Sequence, residues 1–95
     1  MASGAVRLPE ATSKAVLARL RRIGGQVGGL ESMLAARREC WDIVQQLSAV
    51  RGALDRAAVD VISAGMEQCI RMELRGDKRA GSALRKARKA FLMLR

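Results

Sequence analysis

Cys40 and Cys69 are the only thiols in a chain of 95 residues that has no histidine and no tyrosine. Thiolates attack sulfur, bind soft metals and pair as disulfides, so these two positions hold most of the redox and metal chemistry open to the sequence. Without imidazole there is no general base, metal ligand or pH switch of the usual kind near neutrality. No acid–base constellation of an enzyme emerges either. The cysteines are too far apart for a CxxC motif, and a single pair is not the disulfide framework of a small secreted domain. Zinc wants four donors, which two thiols do not supply, whereas two thiolates can hold Cu(I). No resident cofactor is expected.

The other chemistry is cationic. Lys plus Arg number 18 against 9 acidic residues, a net charge of +9. One Phe and one Trp are too few for a base-stacking surface, and 49% hydrophobic residues are too many for a disordered basic tail. A small, basic, folded chain of this kind is suited to binding a polyanion. The N-terminal residues contain no signal-peptide core, and no run approaches the roughly 20 apolar residues that span a bilayer. A cytoplasmic protein without a membrane partner is therefore expected.

These side chains must be positioned by helices. Residues 1–11 read as a flexible N-terminal arm, and 12–95 as a single all-α domain. Thr12 or Ser13 can cap a first helix over about 13–37, in which Val16, Leu20, Ile23, Val27, Leu30 and Leu34 recur at alternating spacings of four and three. Gly24, Gly25, Gly28 and Gly29 each cost roughly 1 kcal/mol relative to Ala there, which close approach of a neighbouring helix would offset. A second helix, about 40–75, repeats the spacing through Ile43, Leu47, Val50, Leu54, Ala57 and Val61 before Gly76-Asp77 stops it and caps the next. At about 52 Å it exceeds the roughly 32 Å breadth of a compact globule of this size. An obligate oligomer follows as the expectation. A third helix, about 78–94, sets Leu84, Ala87, Phe91 and Leu94 on one face amid basic residues. Helices 1 and 2 of two chains are expected to form an antiparallel four-helix-bundle dimer core.

On one continuous helix the two cysteines lie 29 positions apart, about 43 Å, far beyond the ~7 Å between α-carbons that a disulfide allows. In an antiparallel pair of such helices, Cys40 of one chain can face Cys69 of the other. Cys69 also falls on the apolar stripe of Ile62 and Met66 and can equally be a small packed hydrophobe. Cys40 opens its helix, where the amide N–H groups favour an anion, with Arg37 and Arg38 just before it and Glu39 and Asp42 opposing.

The run Leu20-Arg21-Arg22-Ile23-Gly24-Gly25-Gln26-Val27-Gly28-Gly29-Leu30 resembles the signature of the copper-sensing operon repressor (CsoR) family. Cys40, Asp42-Ile43 and the stretch Gln46-Leu47-Ser48-Ala49-Val50-Arg51-Gly52-Ala53-Leu54 extend the likeness, which covers about 13–92. The resemblance implies three-helix protomers assembled as a dimer of dimers that repress transcription at operator DNA and let go when a ligand engages the cysteines. The copper sensors' Cys, His and Cys positions are Cys40, Gly65 and Cys69 here, so the histidine is missing. Glu39 stands where a tyrosine is common, and Arg85 at an acidic position of helix 3. A cysteine pair without histidine is similar to the persulfide-sensing (CstR) branch, in which per- or polysulfide bridges the thiols of two protomers. The resemblance also carries DNA binding to Arg19 and Arg56.

With Arg21, Arg22 and Arg51, those two arginines are expected to make a broad positive face in the assembled tetramer, and Arg71, Arg75 and Arg79 are second choices. Any one of them can instead be a solvated helix position. Gly28 replaces the family's cation after Gly25-Gln26-Val27, and no helix-turn-helix is evident. The leading expectation is a homotetrameric repressor of operator DNA, induced by reactive sulfur species at Cys40 and Cys69. A Cu(I) response through the two thiolates, and a helical architectural or adaptor protein with inert cysteines, are the alternatives.

Overall fold

The computed structural model describes residues 5–94 and contains three α-helices, with no strand among the described residues. They are α1 (Glu10–Ala35), α2 (Cys40–Leu74) and α3 (Ala80–Met93). Both α1 and α3 pack on α2 and not on each other. The protomer is a rod of 57 × 25 × 20 Å with a radius of gyration of 17.7 Å, well beyond the ~12 Å of a compact chain of this length. The long central helix is intact and sets that dimension.

α1 starts earlier than Thr12 or Ser13 would allow, and neither side chain caps it. Pro9, with φ −56°, precedes the first turn, and its carbonyl accepts from the Ser13 amide at 2.9 Å. Proline's fixed φ suits a helix start and Glu10 complements the dipole. The arm expected over 1–11 thus has a helical end, and Val6 packs on the α2–α3 core. Residues 1–4 lie outside the described residues.

Both interhelical turns are Schellman motifs. At the end of α2, the Asp77 amide donates to Met72 O at 2.9 Å and the Gly76 amide to Glu73 O at 3.1 Å, with Gly76 at φ +70°. At the end of α1, the Arg38 amide donates to Met33 O and the Arg37 amide to Leu34 O. There the left-handed residue is Arg37, at φ +54°. An L side chain costs about 1–2 kcal/mol in that conformation. Arg37→Gly is therefore expected to stabilise the fold by roughly 1 kcal/mol, read as a higher denaturant midpoint with an unchanged m value.

The core is small and split. Ile23, Leu30 and Val50 join α1 to α2 with Met33, Ile43 and Ala53 around them. Cys69, Met72, Ala80 and Ala83 join α2 to α3. The 4-3 seam of α1 does not act as one surface: Ile23 and Leu30 turn onto α2, whereas Leu20, Val27 and Leu34 stay exposed. Val44, Leu47, Leu54 and Val61 form a matching open row on α2. The close helix approach expected at the α1 glycines is absent within the protomer, since a Cβ at Gly24, Gly25, Gly28 or Gly29 would meet nothing within 4 Å.

Candidate functional site

The two cysteines occupy opposite environments on one helix. Cys40 is the first residue of α2 and is exposed. The anion that takes the first-turn amides is not its thiol but the carboxylate of Glu39, whose Oε2 accepts from Trp41 N at 2.8 Å and Asp42 N at 3.1 Å. Arg38, expected beside the thiol, pairs instead with Asp42 at 3.6 Å. Glu39 as the N-cap is not legible in the sequence, because glutamate is an uncommon cap.

Cys69 is 1% exposed. It packs with Met72, Ala80 and Ala83, and Val6, Leu84 and Ala87 complete its surroundings. One side of it opens on an apolar cavity of about 260 Å³, whose walls include Val6, Leu8, Gly65, Met66 and Lys86. Gly65 lies one turn before Cys69, and a Cβ there would meet nothing within 4 Å. The position that carries histidine in the copper sensors of the resembling family is thus open space beside the thiol. Val6 and Leu8 belong to the stretch expected as a flexible arm; their apolar side chains, alternating before Pro9, are the signal that could have placed them here.

Within the protomer the cysteines stay apart, as a 35-residue continuous helix requires. Among the described residues, no group of three His, Cys, Asp or Glu side chains could hold a metal ion.

On a single protomer the five arginines expected to bind DNA point in several directions. Arg19 bridges α1 to α2 through Asp60 at 3.3 Å, and its Nε is buried without a hydrogen-bond partner. Arg19 and Arg22 line one depression with Ile23, Gln26 and Ala53. Arg21 projects about 200° around α1 from Arg19, at roughly 100° per residue. Arg51 and Arg56, both exposed, diverge by about 140° on α2 by the same measure. Of the second choices, Arg71 pairs with Glu67, while Arg75 and Arg79 both pair with Asp77.

Asp77 is the best-connected carboxylate. Its Oδ1 accepts from the Arg79 amide and Nε, each at 2.9 Å, and Oδ2 from Nη2 at 2.7 Å. The Arg79 side-chain hydrogen bonds foremost, then its amide and the charges of Arg79 and Arg75, hold this carboxyl well below the usual carboxylate range. A folded-state pKa below the unfolded value of about 4 means stabilisation that is complete above that value and lost as the pH falls through the folded one. Asp77→Asn is expected to lower the melting temperature near neutral pH. The gap from the parent should close progressively below about pH 4 in thermal melts.

Comparison with known proteins places this geometry. The pattern of the family described as "Metal-sensitive transcriptional repressor" matches residues 12–93. The chain belongs to that family. It is similar over 86% of its length to the solved structure of the nickel-responsive transcriptional regulator InrS, covering 91% of that chain with a TM-score of 0.78 and 29% identity. It is also 36% identical over 52 residues to the copper-sensing transcriptional repressor RicR of Mycobacterium tuberculosis, a match covering 55% of this chain and 54% of RicR. The copper-sensing transcriptional repressor CsoR of Bacillus subtilis is 38% identical over 52 residues, 55% of this chain and 52% of CsoR. The chain spans about half the length of these curated relatives. The relatives are transcriptional repressors and not enzymes, and the all-α, three-helix protomer with a long central helix agrees with the resemblance read from the sequence. Among the described residues, no helix is long and apolar enough to cross a membrane.

Proposed function

We propose that this chain is a cytoplasmic, DNA-binding repressor that assembles as a homotetramer, a dimer of dimers, and senses per- or polysulfide through Cys40 and Cys69 of the partner subunit. The observation that carries the reading is one exposed and one buried thiol in a chain without histidine, the buried one sharing its cavity with Gly65. Attack of the Cys40 thiolate on a sulfane sulfur breaks the reagent's S–S bond and releases its remainder as a thiolate, leaving Cys40 persulfidated. Attack of the second thiolate on Cys40 Sγ then expels hydrosulfide and closes a disulfide. Two electrons leave the thiol pair and reduce the sulfane sulfur. Where the second thiol has itself taken a sulfane sulfur from another reagent molecule, its persulfide attacks Cys40 Sγ, expels hydrosulfide and leaves a trisulfide, which spans a pair slightly too separated for a disulfide. The covalent link releases DNA only if the linked tetramer binds it less well than the free one.

A second reading keeps the scaffold and takes Cu(I) as the inducer. It is favoured by the two curated relatives, both copper-sensing repressors, and by the fit of two thiolates to that ion. Intact mass under non-reducing conditions, after anaerobic polysulfide or Cu(I), separates the readings. A crosslinked dimer heavier by multiples of about 32 Da, lost in both Cys40→Ala and Cys69→Ala, is the result expected for sulfur sensing. Unmodified monomer after polysulfide, with stoichiometric Cu(I) retained, assigns copper. If neither reagent marks the protein, the cysteines are inert packing and the architectural reading takes over.

A further inference from the structure

The chain's positive charge is concentrated at one end of the sequence. Residues 78–95 hold seven of the 18 cations and none of the 9 acidic residues, so they contribute +7 of the net +9. Residues 1–77, which contain all five arginines expected to bind DNA, are left with +2. Around α3, the apolar side formed by Ala80, Ala83, Leu84 and Ala87 is turned onto α2. On the other side Ser82, Arg85, Lys86, Arg88, Lys89 and Leu92 line one shallow groove. Arg85, Arg88 and Lys89 are exposed, and no ion pair forms at any of the three among the described residues.

Like charges three and four positions apart on a helix repel, and here Arg85 stands at those distances from Arg88 and Lys89 with no carboxylate between them. On α1 and α2 carboxylates stand within a turn of some cations, as in Lys14–Glu10 and Arg71–Glu67, whereas residues 78–95 offer none. From this contrast we infer that the outer face of α3 is a phosphate-backbone contact surface for duplex DNA, acting beside any contacts from α1 and α2. The inference deepens the repressor reading and rests on it. An array of point cations on a convex helix, without aromatic side chains among them, suits backbone phosphates and carries little base selectivity. It would supply sequence-independent affinity and steering, and leave operator choice to other residues.

The test uses the reduced full-length protein, a random-sequence 30-base-pair duplex and fluorescence anisotropy over a range of salt. The Arg85→Gln/Arg88→Gln/Lys89→Gln variant is expected to keep the parent's helical circular dichroism, because the three side chains are exposed. Its slope of log K against log salt should be less negative by roughly two to three, at about 0.9 for each phosphate that is no longer neutralised. Affinity near 0.1 M salt should fall roughly 10- to 100-fold. A second variant, Lys14→Gln/Arg38→Gln/Arg71→Gln, removes the same charge from cations that are already paired and is expected to change the slope by less than one. Equal slope changes in the two variants would overturn the α3 assignment in favour of a net-charge effect, and an unchanged slope in the α3 variant would overturn it outright. Parent protein that binds phosphatidylserine vesicles but not the duplex, with vesicle binding lost in the α3 variant, would reassign the face to a membrane and remove the repressor reading with it. Parent protein that binds the duplex normally while the α3 variant is unaffected leaves the repressor reading standing and defeats only this inference.

Discussion

In the reduced native protein, Cys40 is expected to react with an aromatic disulfide reagent roughly 100-fold faster than Cys69. The thiol of Cys40 is open at the tip of α2, whereas Cys69 is enclosed by α3 and by Val6. A buried thiol reacts through an opening of its surroundings, and its rate falls with the population of that opened state. Two kinetic phases of one thiol each should therefore be resolved. Cys40→Ala should retain only the slow phase and Cys69→Ala only the fast one. Val6→Gly thins the cover over Cys69 and should speed the slow phase alone. Equal rates for both thiols would mean that Val6 and α3 do not protect Cys69 in solution. Under the sulfur-sensing proposal, the same asymmetry has the exposed thiol capture sulfane sulfur first and the enclosed one resolve it.

The second large effect concerns the apolar row that the hairpin leaves uncovered. Leu54→Asp is expected to convert the proposed oligomer to monomer, or to unfold it, in sedimentation velocity at micromolar protein. Leu54 is 46% exposed in the protomer and shares its open row with Leu47 at 52%. Covering those rows with a second copy removes apolar surface from water, at about 25 cal/mol per Å². A carboxylate placed there loses that gain and is left desolvated without a partner, a cost of several kcal/mol that a symmetric dimer meets twice. Leu54→Met keeps volume and polarity and should sediment as the parent does. If Leu54→Asp also sediments as the parent, the open rows are not the interface between copies, and the four-helix dimer core falls with them.

The residues that decided the family likeness were local in the sequence. The Gly-rich run around Gln26 and the spacing of Cys40, Gly65 and Cys69 needed no fold to be noticed. The placement of their side chains did. Arg19, matched by likeness to a DNA contact, is held by Asp60 across the hairpin. Those two residues are 41 positions apart in a chain with several other carboxylates, and only the antiparallel register of α1 on α2 brings them together.

Helix number, the unbroken length of α2 and its stop at Gly76 were all determined by the sequence alone, because apolar period and glycine punctuation act within a few residues. A 4-3 seam says which residues are apolar but not which neighbour covers them. The tertiary structure decided that Ile23 and Leu30 belong to the protomer core while Val27 and Leu34 do not. The direction of the hairpin, taken with a left-handed Arg37 where a glycine would have announced the turn, makes that division. It also decided that Val6 covers Cys69 and that Glu39 takes the amides beside Cys40. In each case the deciding contact is between groups whose own local preferences do not call for it.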